Sequence, residues 1–353
     1  MSAPEPAQQS GRSSSRPRGG RKLVIGASGF LGSHVTRELV QQGYHVRVLL
    51  RHTSSTTGID DLDVERVYGD ILDAAAVRAA MAGCDVVFHC AVDTRAWLRD
   101  PAPLFRTNVE ALRVVLDAAV EADLDRFVFT STLATIGLSS DGPATEDTTH
   151  DWFETAGAYV RSRVRAESLV LDYARQRGLP AVAMCVANTY GPGDWAPTPH
   201  GGLLAAAARG RMPAYVEGAA AEVVGVVDAA RAMVLAAEHG RVGHRYIVAE
   251  RFMSSREIYR IAAEVGGVAP PRWAVPLPVM SVLGVLGEAV GRVLDRDVRL
   301  TRTSVRLMHI MPPMDHSKAV RELGWCPGPA PEAIHEAARF FLDERPAGRR
   351  SAG

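Results

Sequence analysis

Apolar positions along the chain alternate between two rhythms. A short run, Leu23-Val24-Ile25, enters a turn at Gly26 and passes directly into a helical spacing over 30–42, closed by Gly43. The stretch 44–50 then carries Val46, Val48 and Leu50 at every second position, the spacing of a strand. The same succession recurs: strands are predicted at 64–68, 85–90, 126–130, 181–186 and 245–248, and helices at 73–81, 108–122 and 159–177, with a further strand and helix within 223–239. Punctuation supports these boundaries. Asp73 and Asp228 read as helix N-caps, Gly83 and Gly178 as stops, and Ser254 with Glu257 as a capping box. The run 191–202 reads as loop, and the elements beyond it shorten, with later helices near Ser317 and Pro331. Strands alternating with helices imply an α/β fold whose parallel sheet is covered on both faces, with right-handed crossovers.

Composition narrows the picture. At 353 residues and 47% hydrophobic content, the chain holds one large α/β domain and a smaller companion. Its formal net charge is +0, so nothing in the balance calls for nucleic acid or an anionic membrane as partner. The four cysteines, Cys84, Cys90, Cys185 and Cys326, lack CxxC spacing and read as reduced thiols, which fits a cytoplasmic setting. Residues 1–21 are rich in Ser, Pro, Gly and Arg and read as a disordered tail rather than a signal peptide; 345–353 look similar. Of the 40 lysines and arginines, all but Lys22 and Lys318 are arginine, a bias that weakens any claim for one particular arginine. The most apolar stretch, 275–287, is broken by Pro276 and Pro278 and is too short to span a bilayer. It is expected to form a buried helix lining a greasy pocket, with contact at a membrane surface as the sharper alternative. The 11 histidines show no metal-ligand spacing, so no metal is expected, and His89 reads as a satisfied core histidine.

Chemistry enters at the first turn. Gly26 makes the bend, Gly29 lets backbone N–H groups approach a pyrophosphate, and Gly32 lets the helix lie close to the strand. Ser28, Phe30 and Leu31 complete that cradle at the positive end of the helix. In such a unit an acidic residue at the end of the second strand accepts the adenosine ribose hydroxyls when the cofactor is NAD. Here the place falls on Leu50, followed by Arg51 and His52. A carboxylate repels a 2′-phosphate and a guanidinium grips it, so NADP(H) is expected over NAD(H); the plainer reading leaves Arg51 a solvated strand-end charge. The architecture expected is a Rossmann doubly wound sheet over 22–187, completed by about 223–250, with a smaller α/β substrate domain from 188–222 and 251–344.

A second constellation is Thr130-Ser131-Thr132 at a strand end, with Tyr159 and Arg163 one turn apart on a helix. Together with GASGFLG at 26–32, Gly69-Asp70, Asn108, YVRSRVRAE at 159–167, Asn188, Tyr190-Gly191-Pro192 and SKAVRELGWCP at 317–327, it makes the chain resemble the extended short-chain dehydrogenase/reductases of the NAD-dependent epimerase/dehydratase family, over nearly all of 22–343. The chain is most similar to the branch holding dihydroflavonol reductases, 3β-hydroxysteroid dehydrogenases and hopanoid-associated sugar epimerases. The resemblance implies hydride transfer between a nicotinamide and a carbonyl or secondary alcohol of a fairly apolar small molecule. Thr132 would hydrogen-bond the substrate oxygen and Tyr159 would pass its proton. Asp70 and Ile71 fall at the adenine, and Tyr159, Arg163 and Asn188 also against the cofactor. Asn108 would steady the helix near the site. Turn-capping and N-capping remain the plain readings of Asp70 and Asn108.

The family usually has lysine where Arg163 stands. A phenol with a pKa near 10 needs a fixed cation beside it to act near neutrality. Arginine supplies the charge and reaches ribose hydroxyls, yet it is bulkier and cannot join a proton relay. A working variant site, a slow enzyme and a cofactor-binding protein without turnover all stay open. Trp97 and Trp195 fall in loops on the ligand side of the sheet, as pocket walls or as anchors of their own loops. A nucleotide-sugar epimerase or dehydratase is the alternative function, with Arg209, Arg211 and Arg272 as candidate diphosphate ligands; an NADP(H)-binding sensor or scaffold is the third. The resemblance also implies a homodimer through the helices that carry Asn108 and Tyr159.

Overall fold

A computed structural model describes residues 18–344. The first half runs β1 (Arg18–Ile25), α1 (Phe30–Gln41), β2 (Tyr44–Leu50), β3 (Glu65–Tyr68), α2 (Ala74–Met81), β4 (Val86–His89), α3 (Ala102–Phe105), α4 (Ala111–Glu121), β5 (Arg126–Thr132), α5 (Ala158–Arg177) and β6 (Ala181–Val186). The second half adds β7 (Asn188–Tyr190), α6 (Pro199–Ala208), β8 (Ala214–Val216), β9 (Ala220–Gly225), α7 (Val226–His239), β10 (Arg245–Val248), β11 (Arg251–Ser254), α8 (Ser255–Val265), β12 (Trp273–Val275), α9 (Leu277–Val293), α10 (Arg302–Leu307), α11 (Ser317–Leu323) and α12 (Ala330–Asp343).

Seven strands pair in parallel in the order β3-β2-β1-β4-β5-β6-β10. The period-2 rule sorts their side chains between two layers. Val24, Val48, Phe88 and Val182 are buried on one face with Val35, Met233 and Leu323 from α1, α7 and α11. Leu23, Ile25, Val87 and Phe127 are buried on the other with Met81, Leu116 and Val170 from α2, α4 and α5. Each such side chain contributes about 1.5–3 kcal/mol of burial, which explains why both strand faces are apolar. The smaller domain has a β11-β9-β7 sheet and a β12-β8 pair, with Leu204, Ile258, Ile334 and Phe341 of α6, α8 and α12 forming its core.

Several expectations are corrected. Residues 18–21, expected in a tail, belong to β1, where a register shift between Arg18 and Arg21 and a φ of +88° at Gly20 mark a bulge; the rest of that tail and 345–353 lie outside the described residues. The helix expected to open near Asn108 opens instead at Ala102 and passes through a π-turn over Arg106–Glu110, so Asn108 is interior to it and is not an N-cap. α6 begins inside the stretch read as loop, because Thr198 caps it by accepting the Gly201 N–H and Pro199 occupies a first turn where no N–H is needed. Gly225, not Asp228, precedes α7; the Asp228 carboxylate accepts the Gly328 N–H at 3.1 Å instead. α11 packs into the core of the larger domain, with Ala319, Leu323 and Trp325 fully buried there. The apolar helix α9 is not buried: Val282 is 59% and Leu286 54% exposed. Among the described residues no helix is long and apolar enough to cross a membrane.

Candidate active site

The C-terminal ends of the central strands open on one cleft. At its head Gly26 adopts φ +91°, and a Cβ there would come within 2.6 Å of the Ala91 nitrogen. A Cβ on Gly32 would lie 2.1 Å from the Gly26 oxygen, so only glycine lets α1 start this close to β1. The Gly29 N–H donates to the Gly26 carbonyl at 3.0 Å, no side chain caps α1, and no acidic residue lies in its first turn. The first N–H groups of that helix therefore remain available to an anion, and the turn fits a pyrophosphate. Beyond β2, Leu50 is buried and the Arg51 side chain is exposed, so the strand end carries no carboxylate. Asp70 accepts the Leu72 N–H at 2.9 Å, which is the plain turn role, while still lining the cleft.

Thr132 ends β5 and Tyr159 lies in the first turn of α5; both line the cleft. Ser131 donates to Glu167 Oε2 at 2.5 Å, Thr135 Oγ1 donates to the same oxygen at 2.8 Å, and Arg245 donates to Glu167 Oε1 at 3.0 Å. This buried carboxylate clamps the strand end on either side of Thr132. Asn108, held inward by the π-turn, accepts the Asp93 N–H at 2.8 Å and donates to the Asp93 carbonyl and to Ser162 Oγ, both at 3.0 Å. Ser162 in turn donates to the Tyr159 carbonyl at 2.7 Å, so Asn108 ties the loop after β4 to the first turn of α5.

Arg163 departs from expectation. It is only 2% exposed, donates to the Thr130 carbonyl, and holds its guanidinium 5.0 Å from the Phe129 ring centre, with Nε lacking a partner. The other predicted site residues, Gly26, Ser28, Gly29, Phe30, Leu31, Gly32, Arg51, Asp70, Ile71, Thr132, Tyr159, Asn188, Trp97 and Trp195, all line the cavity; Arg163 does not. It stands behind the strand, against the Thr130 carbonyl and the Phe129 ring. Burial lowers its pKa, opposed by the electrostatic pull of Tyr159 and Glu167. His89 is a core residue, as expected, but not a satisfied one: neither ring nitrogen has a partner. Burial first, and then the Arg163 charge, push its pKa down to about 3, which keeps the ring neutral.

The cavity encloses about 1630 Å³ and runs from the glycine turn to a far end lined by Tyr215, Ile258, Val275, Met280, Leu307 and Met308. No arginine or lysine from 188–344 lines it. Arg209 is occupied with the Phe341 and Glu344 carbonyls, and Arg211 and Arg272 lie outside the lining, so the expected diphosphate trio does not form. Trp97 carries the Arg299 guanidinium 5.3 Å from its ring centre, and Trp195 packs edge-on to Phe340 at 4.9 Å.

Sequence reasoning missed some of the cleft. Cys90 accepts from Thr130 Oγ1 at 3.3 Å, with burial raising its thiol to about 11, and burial raises Tyr259 to about 12. Glu167 had a visible signal, four residues after Arg163 on the same helix face; Arg245 had none. Among the described residues no cluster of three or more ligating side chains forms a metal site.

Residues 22–249 match the family model described as the NAD dependent epimerase/dehydratase family. Sterol demethylase protein B of Methylococcus capsulatus is 32% identical over 323 residues, which cover 91% of this chain and 98% of that protein. The 4-hydroxy-2-methyl-3-oxo-4-farnesyl-3,4-dihydroquinoline-1-oxide ketoreductase of Stigmatella aurantiaca is 30% identical over 312 residues, covering 86% and 91%. The crystal structure of gox2253 aligns with a TM-score of 0.82 at 34% identity, over 92% of this chain and 98% of that one.

Proposed function

The chain belongs to the NAD dependent epimerase/dehydratase family, and on that footing we propose that it is an NADP(H)-dependent oxidoreductase acting on the carbonyl or secondary alcohol of a fairly apolar small molecule. One observation carries this reading: a single cavity joins the glycine turn to Thr132 and Tyr159 and continues into an apolar end. Gly26, Ser28 and Gly29 with the uncapped start of α1 would hold the pyrophosphate. Arg51 would grip the 2′-phosphate, Asp70 and Ile71 would meet the adenine, and Asn188 the nicotinamide end. The dinucleotide, when bound, supplies or accepts the hydride.

The protein's own groups manage the oxygen. Thr132 Oγ1 and the Tyr159 phenol hold it. In the reducing direction the phenol O–H bond breaks and its proton passes to the oxygen as the alcohol forms; in the oxidising direction that proton returns. Negative charge left on the phenol is stabilised by the buried Arg163 charge one helical turn away. The Glu167 clamp, on Ser131 and Thr135, and the Asn108 tie, through Ser162 to the Tyr159 carbonyl, hold the backbone that carries the two hydroxyls before substrate arrives. A homodimer through α4 and α5 completes the reading, and sedimentation equilibrium checks it.

Tyr159→Phe is expected to cut NADPH-dependent ketone reduction by roughly 10²–10⁴-fold while NADPH affinity changes by less than about two-fold. Undiminished turnover would defeat the assignment. A panel of ketones, steroids and nucleotide sugars, followed by loss of nicotinamide absorbance, identifies the substrate; turnover confined to nucleotide sugars would favour the epimerase reading.

A further inference from the structure

The face of α9 is inverted relative to an ordinary surface helix. Gly284, Gly287 and Gly291 form its packing face, against which the segment 296–302 runs at backbone contact: a Cβ on Gly287 would lie 2.1 Å from the Leu300 oxygen, and one on Gly291 2.9 Å from the Arg296 oxygen. The larger apolar residues point elsewhere. Val279, Val282, Leu283, Leu286, Val290 and Val293 recur at i, i+3, i+4, i+7, i+11 and i+14, a single stripe about 100° wide. All six are exposed, Val293 to 84%. Trp273, just before the helix, is 72% exposed. In a water-facing helix such a stripe is normally turned to the core.

Size and charge select the occupant. A helix of 17 residues is about 26 Å long, and a stripe roughly 10 Å wide offers a few hundred Å², well below the ~800 Å² per partner of a stable protein interface. A helix lying in the plane of a bilayer needs no more than such a stripe with a basic border. Basic side chains are present in the same stretch: Arg272, Arg292, Arg296, Arg299 and Arg302 are all exposed, Arg299 with its guanidinium over the Trp97 ring. Of the acids in the same stretch, Asp295 pairs with Arg99 at 2.6 Å, Asp297 accepts the Arg99 N–H, and Glu288 accepts the Arg302 N–H. Val275, Met280 and Leu300, beside the stripe, line the apolar end of the cavity.

We propose that α9 docks the enzyme on an anionic phospholipid bilayer, holding the apolar end of the cavity against the membrane from which its substrate is drawn. The docking stands on the exposed stripe and the exposed arginines of the same stretch alone; the substrate's origin rests on the apolar-substrate reading above. The test is flotation of the full chain with vesicles of phosphatidylcholine, with and without phosphatidylglycerol. The wild type is expected to float with the anionic vesicles and more weakly with the neutral ones, and added salt should weaken the binding. The triple variant V282S/L286S/V290S, altered only at exposed positions outside the cavity lining, should lose at least about ten-fold in vesicle affinity with NADPH binding unchanged. Should the triple variant misfold, the single change Leu286→Asp serves in its place. Absence of flotation by the wild type, or equal flotation by the variants, overturns the proposal. So does self-association without vesicle binding that the variants abolish, since the occupant is then a second copy. Vesicle binding by a protein that turns over no ketone leaves the docking standing and removes only the substrate reading.

Discussion

At the scale of the residue, Arg163 is the expected site residue that the structure places outside the cleft. Its guanidinium is anchored to the Thr130 carbonyl and the Phe129 face and has a neutral His89 for company, so the positive charge is fixed and shielded from water one turn from Tyr159. On the proposed reading, a charge in that position would stabilise negative charge on the phenol without touching the reacting atoms, so Arg163 would be a positioning residue. Arg163→Lys is expected to keep activity within about ten-fold, because the ammonium preserves the charge. Arg163→Met should lower kcat by on the order of 10²-fold while NADPH affinity changes by less than about two-fold. Equal kcat in the Met and wild-type enzymes, with circular dichroism confirming both folds, would show that the charge does not reach the phenol. The sequence announced the residue at this position but not its orientation, because an arginine is long enough either to enter the cleft or to retreat behind the strand. Only the packing of Phe129 and His89 selects the second.

At the scale of the element, legibility follows how sharply each boundary is punctuated. β2, β6 and β10 fall where alternation and flanking turns place them, and α5 ends at Gly178 in the left-handed conformation, as its sequence demands. α6 was hidden because its glycines and prolines resemble a loop until Thr198 caps them, and the π-turn at Asn108 was hidden because it leaves the helical period almost unchanged. The burial of α9 was misjudged for a different reason: hydrophobic spacing reports a face but not what covers it. β9 carries a consequence no pattern shows. Its Glu222 is buried and accepts the Met314 N–H at 2.8 Å, and burial, with Glu250 adding repulsion, raises its pKa to about 7. A carboxyl with a raised folded pKa supports the fold while protonated; that support is complete below about pH 4.5 and is lost as pH climbs through about 7, on the order of 3 kcal/mol. Glu222→Gln keeps an acceptor and removes the titration. Thermal melts of variant and wild type should converge toward pH 4.5 and separate by pH 8, the variant melting several degrees higher. A gap that stays constant with pH would remove Glu222 from the response.

At the scale of the whole molecule, one cavity is shared by two domains, and a ligand that fills it must stabilise both. The larger domain contributes the glycine turn, Arg51 and the Thr132–Tyr159 pair, while Tyr215, Ile258 and Met308 of the smaller one close the far end. A ligand that binds only the folded state, present at 100 times its Kd, adds about 2.7 kcal/mol to stability, so cofactor preference becomes readable as a melting temperature without knowledge of the substrate. Because no carboxylate ends β2 and Arg51 is the cation beside it, NADPH is expected to raise the midpoint by several degrees more than the same concentration of NADH. Arg51→Asp should invert that order, since a carboxylate at the strand end repels the 2′-phosphate and accepts from the ribose hydroxyls. The difference for the wild type should also shrink with salt, as the pair is exposed. Equal rises with the two cofactors, before and after the substitution, would return Arg51 to the role of a solvated strand-end charge.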